Sequence, residues 1–280
     1  MPDPARHDPG PALRALHRPG DPFVLANAWD RGSAQVLAAL GAKAIGTTSS
    51  GFAFTLGLGD GELGRDAALA HAADLVAAVD VPISADLENG YADTPEGVAE
   101  TVQMAAEAGL AGLSIEDVRA AGRDGAYERE EAVERVRAGL AAARALPRDI
   151  VFCARADGVM TGHYDLVEAC ARIEAFAAAG ADCVYVPLPG DADALQRVIR
   201  IAGTTPVNVL AVGPAARLGF SGLATLGTAR ISLGSALARM THKVLIEAGM
   251  EILSEGRFTS HKGIGGDAVD GLLAAGRREG

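Results

Sequence analysis

At 280 residues, nearly half of them apolar, the chain can bury one large core, and its formal net charge of −11 disfavours nucleic acid and anionic membrane as partners, with no basic stripe to offset it. Aromatic residues make up only 4%, so Ala, Val, Leu and Ile must fill the core, as in strands buried on both faces. No run is apolar for long enough to span a bilayer and the proline-studded first twenty residues lack the apolar stretch of a secretion signal; Cys153, Cys170 and Cys183 show no CxxC spacing, so packed thiols and a cytoplasmic setting are expected.

Residues 1–20 read as an N-terminal arm. From there, short β-branched runs alternate with Ala/Leu-rich helical segments. Strands are predicted at 23–29 (FVLANAW), 43–49 (KAIGTTS), 82–88 (PISADLE), 111–117 (AGLSIED), 149–157 (DIVFCARAD), 182–187 (DCVYVP), 206–212 (PVNVLAV) and 229–234 (ARISLG). Gly41, Gly109 and Gly180 mark helix-to-strand turns, where glycine takes the left-handed conformation that ends a helix. Leu75, Val76 and Val79 keep helical spacing, and Thr94-Pro95-Glu96 is a helix start with a capping Thr before a first-turn Pro. Eight strands, each followed by a helix, predict a single parallel (β/α)8 TIM barrel over 21–255. An open doubly wound sheet would call for GxGxxG or GxxxxGK[ST] after the first strand, and neither motif is there. The segment from Ser235 to Gly256 reads as one long helix, and the glycine-rich 256–280 as a tail that is loosely held or touches another subunit.

Polar residues concentrate at the predicted strand C-termini, the catalytic face of such a barrel. Strand one ends in Asn27-Ala28-Trp29-Asp30, strand two in Ser49-Ser50-Gly51, strand three in Asp86-Leu87-Glu88-Asn89-Gly90, strand four in Glu116-Asp117 and strand five in Arg155-Ala156-Asp157, while strand seven carries Asn208 and strand eight Ser232. Asp86 and Glu88 are two apart, so strand alternation points both carboxylates to one side, where Glu116 can join them. Such acids need a hard divalent cation, Mg2+ or Mn2+ rather than Zn2+, unless they merely cap helices or pair with arginine. Arg155 can face a bound carboxylate or a developing enolate oxygen, or can be spent in a rim salt bridge with Asp157 or Glu116. Ser50-Gly51-Phe52 can present backbone N–H groups to an anion. His71, His242 and His261 read as surface or packing residues, Trp29 as packing at the barrel mouth, and His163, in the loop after strand five, can reach the site.

NAWD, TTSSGFAF, ADLENGY, GLSIED, CARAD and PVNVL follow one another at these strand ends. Together, over roughly residues 20 to 240, they resemble the isocitrate lyase/phosphoenolpyruvate mutase family. The resemblance implies Asp86, Glu88 and Glu116 as acids of a metal site, usually Mg2+, acting directly or through waters. It further implies Ser50, Gly51 and Phe52 as the segment holding a substrate carboxylate, Asp60 as an active-site acid, and Arg155 and Asn208 as substrate-binding positions. It also implies homotetramers that exchange a C-terminal helix, the part the segment from Ser235 would play, and an enolate-type species reached by C–C cleavage, decarboxylation or P–C chemistry.

The chain departs from the family in the loop after strand four. The lyases carry Lys-[Lys/Arg]-Cys-Gly-His there; here the stretch from Arg119 to Gly125 has neither Cys nor His, which counts against isocitrate cleavage. The Lys and Asn of the phosphonopyruvate branch are missing too, and Val186-Pro187-Leu188-Pro189 lacks the Glu that the lyases have after strand six. The leading expectation is a Mg2+-dependent lyase cleaving a C–C bond of a small 2-oxo or 2-hydroxy carboxylic acid. The alternatives are P–C chemistry on a phosphonate, with Arg119 or Arg123 as its cationic partner, and a ligand-binding barrel without turnover.

Overall fold

The computed structural model describes residues 8–119, 125–258 and 263–279. Eight parallel strands form a closed barrel: β1 (Phe23–Ala28), β2 (Ala44–Thr47), β3 (Ile83–Asp86), β4 (Gly112–Glu116), β5 (Val151–Arg155), β6 (Cys183–Tyr185), β7 (Val207–Leu210) and β8 (Arg230–Ser232). β8 returns to pair with β1 through Phe23–Arg230 and Leu25–Ser232, so no strand edge is left open. Each observed strand lies inside the run predicted for it. The residues trimmed from the C-terminal ends include Ser49, Glu88, Asp117 and Asp157, which leave the ladder and turn into the rim.

Helices wrap this barrel, and the layer between them is mostly Ala, Val, Leu and Ile. Thr94 caps the helix Pro95–Glu107 as expected, its side chain accepting from the Gly97 N–H at 3.2 Å. That helix packs on Arg129–Ala145, whose Gly139 seats against Phe152 so closely that a Cβ there would come within 2.5 Å of the ring.

The N-terminal arm carries a helix, Gly10–Leu16, that seals the end of the barrel opposite the polar rim. Leu13 is fully buried among Phe23, Leu25, Ala44, Ala111 and Val151, and Arg14 pairs with Asp149 and Asp182. At the other terminus the long helix runs from Ala236 to Glu255. The glycine-rich stretch, read above as a tail, contains a further helix, Gly266–Gly276, packed on the helix Arg31–Ala39. Close packing overrides weak helix propensity here, since a Cβ on Gly276 would lie 1.8 Å from the Gln35 carbonyl oxygen. Among the described residues no helix is long and apolar enough to cross a membrane.

Candidate functional site

A cavity of about 560 Å3 opens at the C-terminal ends of the strands, with Ser50, Asp60, Asp86, Glu88, Glu116 and Arg155 in its walls. Asp86 ends β3. Its Oδ2 accepts from the Ser49 hydroxyl at 2.9 Å and from the Ser49 N–H at 3.3 Å, and its own N–H donates to Thr47 Oγ1 at 2.9 Å. Ser49, just past the end of β2, therefore fixes the carboxylate of β3. Arg155, ending β5, reaches across with Nη1 2.8 Å from Glu116 Oε1 and 3.4 Å from Asp86 Oδ1, and its Nε donates to Asp157. The two readings of Arg155 coincide: it forms rim salt bridges, and those bridges clamp the acids of the cavity.

Glu88 reaches the cavity by a different route from the one its spacing suggests. β3 stops at Asp86, so alternation no longer governs Glu88, which sits in a turn with a left-handed φ of 46°; Tyr91 follows at 54°. Non-glycine residues held there cost about 1–3 kcal/mol each, strain that persists only where the surroundings enforce it. The Glu116 N–H donates to the Glu88 carbonyl at 2.7 Å, and buried Arg135 donates to the Asn89 and Ala92 carbonyls. These bonds hold the turn. Among the described residues Glu88 Oε1 and Tyr91 Oη are buried without a hydrogen-bond partner.

The electrostatics follow from crowding. Burial and then the Asp86 and Asp60 charges push Glu88 up to about 7. Burial raises Glu116 well above the usual carboxylate range, against the pull of Arg155, and raises Asp157 to about 6. Burial and Asp86 also raise Asp60, which hydrogen-bonds to Ser50. Carboxylates that are costly to ionise, together with an orphaned buried oxygen on Glu88, fit a divalent cation held at Asp86, Glu88 and Glu116. Among the described residues no three acid, Cys or His side chains converge closely enough to hold an ion by themselves. The fit is therefore to a hard ion that keeps several waters, as Mg2+ does.

Asp117, the neighbour of Glu116, stiffens this rim from behind. It is buried and accepts from the Asp157 N–H at 2.8 Å, the Tyr164 hydroxyl at 2.7 Å and Arg172 Nη1 at 3.0 Å.

Not every expected residue lines the cavity. Ser50 does, but the Gly51 N–H is engaged by Thr48 Oγ1 at 3.2 Å and the Phe52 N–H by the Thr48 carbonyl at 3.0 Å. The SSGFAFT stretch is a short helix, Ser49–Thr55, not a turn, so these N–H groups close its first turn instead of facing an anion. Phe52 stacks on His71 with ring centroids 3.9 Å apart, a packing role for both. Asn208 lies deeper, its amide donating to Ser232 Oγ and accepting from Arg230 Nε, each at 2.9 Å. His163 and Arg119 reach the cavity wall; the Arg119 guanidinium stacks 4.3 Å over the Tyr127 ring. Arg123 and His261 lie outside the described residues. Tyr185 and Arg239 line the cavity without having been singled out. Tyr185 was legible as the inward alternate of Cys183, whereas Arg239, on the first turn of the last long helix, had no motif around it.

Residues 13–253 match the phosphoenolpyruvate phosphomutase family. The chain is 32% identical over 213 residues to 2-methylisocitrate lyase of Salmonella typhimurium, covering 73% of this chain and 70% of that protein. A solved structure from Burkholderia cenocepacia J2315, whose description leaves its activity open between lyase and mutase, superposes with a TM-score of 0.89 at 44% identity over 95% of both chains. Phosphoenolpyruvate phosphomutase from Streptomyces platensis subsp. rosaceus superposes with a TM-score of 0.79 at 25% identity, again over 95% of both chains. The chain belongs to the isocitrate lyase/phosphoenolpyruvate mutase family.

Proposed function

We propose that this protein is a Mg2+-dependent lyase, with Mn2+ able to substitute, that cleaves a C–C bond of a small 2-oxo or 2-hydroxy carboxylic acid. The observation that carries this reading is the cavity in which Asp86, Glu88 and Glu116 crowd around Arg155 with a buried Glu88 oxygen left unpartnered. The curated relative named as a 2-methylisocitrate lyase supports the lyase direction. A bound Mg2+ supplies Lewis-acid stabilisation of negative charge growing on a 2-oxo oxygen. Arg155, already fixed by Asp86, Glu116 and Asp157, adds a preorganised positive charge at the same end of the substrate. Ser50 binds the substrate carboxylate. Asp60, kept towards its protonated form by burial and Asp86, exchanges the proton that the family's loop cysteine exchanges elsewhere.

P–C chemistry on a phosphonate is the second reading, favoured by Arg119 at the cavity wall. The two separate in one screen: 2-oxo and 2-hydroxy acids followed by proton NMR and phosphonopyruvate by phosphorus NMR, each with Mg2+. The lyase reading predicts turnover of a carboxylic acid that is abolished in Asp86→Ala. Turnover of phosphonopyruvate alone would transfer the assignment to P–C chemistry, and binding without turnover of either class would make the barrel a ligand-binding protein.

A homotetramer belongs to the same proposal. Met240, Val244, Leu245, Ile246, Met250 and Leu253 on the helix Ala236–Glu255 are all exposed, Leu253 at 87%. These residues lie all round the helix, and a helix apolar on every side is a segment that a partner covers, as exchange of this helix between subunits would do. The three free cysteines fit a reducing cytoplasm.

A further inference from the structure

Among the described residues the wall of the acid cavity carries three arginines, Arg119, Arg155 and Arg239. They are not equally engaged. Arg155 is spent on Asp86, Glu116 and Asp157. Arg119 lies 3.5 Å from Glu131 and 4.0 Å from Asp93, with its guanidinium stacked on Tyr127. Arg239 is exposed, and among the described residues no acid pairs with it. Its charge is the arginine charge of this cavity that no described acid balances.

Arg239 is held in place by its own barrel. It sits on the first turn of the helix Ala236–Glu255, its N–H donating to the Ser235 carbonyl at 2.8 Å. The preceding Ala238 is 1% exposed and lies against Gly51, where an added Cβ would come 3.3 Å from Ala238 Cβ. Just beyond, the His242 ring meets Phe54 edge-on, with centroids 5.4 Å apart. These contacts seat the start of the helix beside Ser49–Thr55, so the guanidinium is presented at the cavity from a packed base.

The place of this turn in the barrel gives the free charge its meaning. The acids come from the ends of β3 and β4 and are clamped from β5, whereas the helix of Arg239 follows β8. In the closed ring β8 stands four strands from β4, across the mouth from it. The wall on the side of β6 to β8 is largely apolar, with Leu188, Leu210, Val212 and Leu233. A cavity with a metal-type acid cluster on one side, an apolar wall and an unbalanced guanidinium on the other is complementary to a carbon chain with an anion at each end. In a chain of net charge −11, a second anionic group needs such a local cation to enter at all.

We propose that Arg239 is a specificity-determining residue of this site, pairing with a second carboxylate, so that the substrate is a dicarboxylic acid. The inference rests on the metal-lyase reading, in which the 2-oxo or 2-hydroxy acid end sits at Asp86, Glu88 and Glu116. The fork of the Arg239 guanidinium receives both oxygens of the far carboxylate. Leu210, Val212 and Leu233 carry the carbons between the two ends. A monocarboxylic acid of the same length leaves Arg239 in water and gains nothing from it.

The test is calorimetry with pairs of 2-hydroxy acids that differ only in whether the far end is a carboxylate or a methyl group. Malate is set against 2-hydroxybutyrate, and 2-hydroxyglutarate against 2-hydroxyvalerate, each with Mg2+. In the wild type the dicarboxylate of at least one pair should bind about tenfold or more tightly than its partner. Arg239→Met should bring that ratio close to one, and Arg239→Lys, which keeps the charge and loses the fork, should retain part of it. Lys243→Met removes a charge one turn further along the same helix, where Lys243 is 73% exposed beside Glu247, and should leave the ratio intact. A ratio near one for both pairs in the wild type, a ratio that survives in Arg239→Met, or an equal fall in Lys243→Met overturns the proposal. Oxalate, which has no far carboxylate, separates the two readings. Mg2+-dependent oxalate binding with no preference for dicarboxylates refutes Arg239 and spares the metal site, whereas oxalate binding that ignores Mg2+ counts against the metal site and leaves the ratio to decide Arg239.

Discussion

Replacing Glu88 with Gln isolates the charge that the metal is proposed to neutralise. The carboxyl titrates near 4.5 in an unfolded chain and near 7 in the folded one, and the residue is only 8% exposed. Because its folded value is raised, the folded protein binds more protons than the unfolded one between these limits. This group's contribution is therefore fully present below about pH 4.5 and is lost as pH rises through about 7, a fall of about 3 kcal/mol. Gln has nearly the same shape and no charge. In EDTA, urea unfolding should show Glu88→Gln matching the wild type near pH 4.5 and exceeding it at pH 8, by up to about 3 kcal/mol. Adding Mg2+ should reverse the order, because the ion stabilises only a protein that can bind it. A variant less stable than the wild type at pH 8 without metal would refute the reasoning, since Glu88 would then be a structural partner rather than an unbalanced charge.

Other perturbations follow from the same geometry. Arg155→Met should lower kcat/KM about 100-fold or more by removing the preorganised charge, measured on whichever substrate the NMR screen yields. Asp117→Asn removes one of the two carboxylates on buried Arg172, leaving Glu168 at 2.8 Å, and should cost about 1–3 kcal/mol in urea unfolding; a cost near zero would mean the network is not held together by the Asp117 charge. Met250→Asp with Leu253→Asp should convert the assembly to monomers in sedimentation velocity while circular dichroism stays unchanged, and an unchanged sedimentation coefficient would exclude this face as the interface. Gly276→Leu should release the helix Gly266–Gly276 from Gln35 and lower Tm, and a wild-type Tm would show that this helix contributes nothing to stability.

The barrel was legible because parallel strands buried on both faces read as short apolar runs, and the glycines ending the preceding helices separate them cleanly. Polar residues at strand ends then placed the acids, and Asp86, Glu116 and Arg155 meet in the structure as their register requires. Glu88 lines the cavity for a reason its spacing did not contain: the left-handed turn after β3 is a tertiary demand, enforced by the Glu116 N–H and Arg135. The helix Gly266–Gly276 was hidden because its glycines lower helix propensity, while its fit against Gln35 depends on residues more than two hundred positions away. Ser49–Thr55 was hidden because a seven-residue helix has too little periodicity to show.

Calorimetry of oxalate, which mimics the two oxygens of an enolpyruvate, tests the central claim most directly. The titration is run with and without Mg2+ on the wild type and on Glu116→Ala. The account predicts binding that requires Mg2+ and is lost in the variant. Binding that is indifferent to metal, or that survives in Glu116→Ala, would contradict a cation held by these acids.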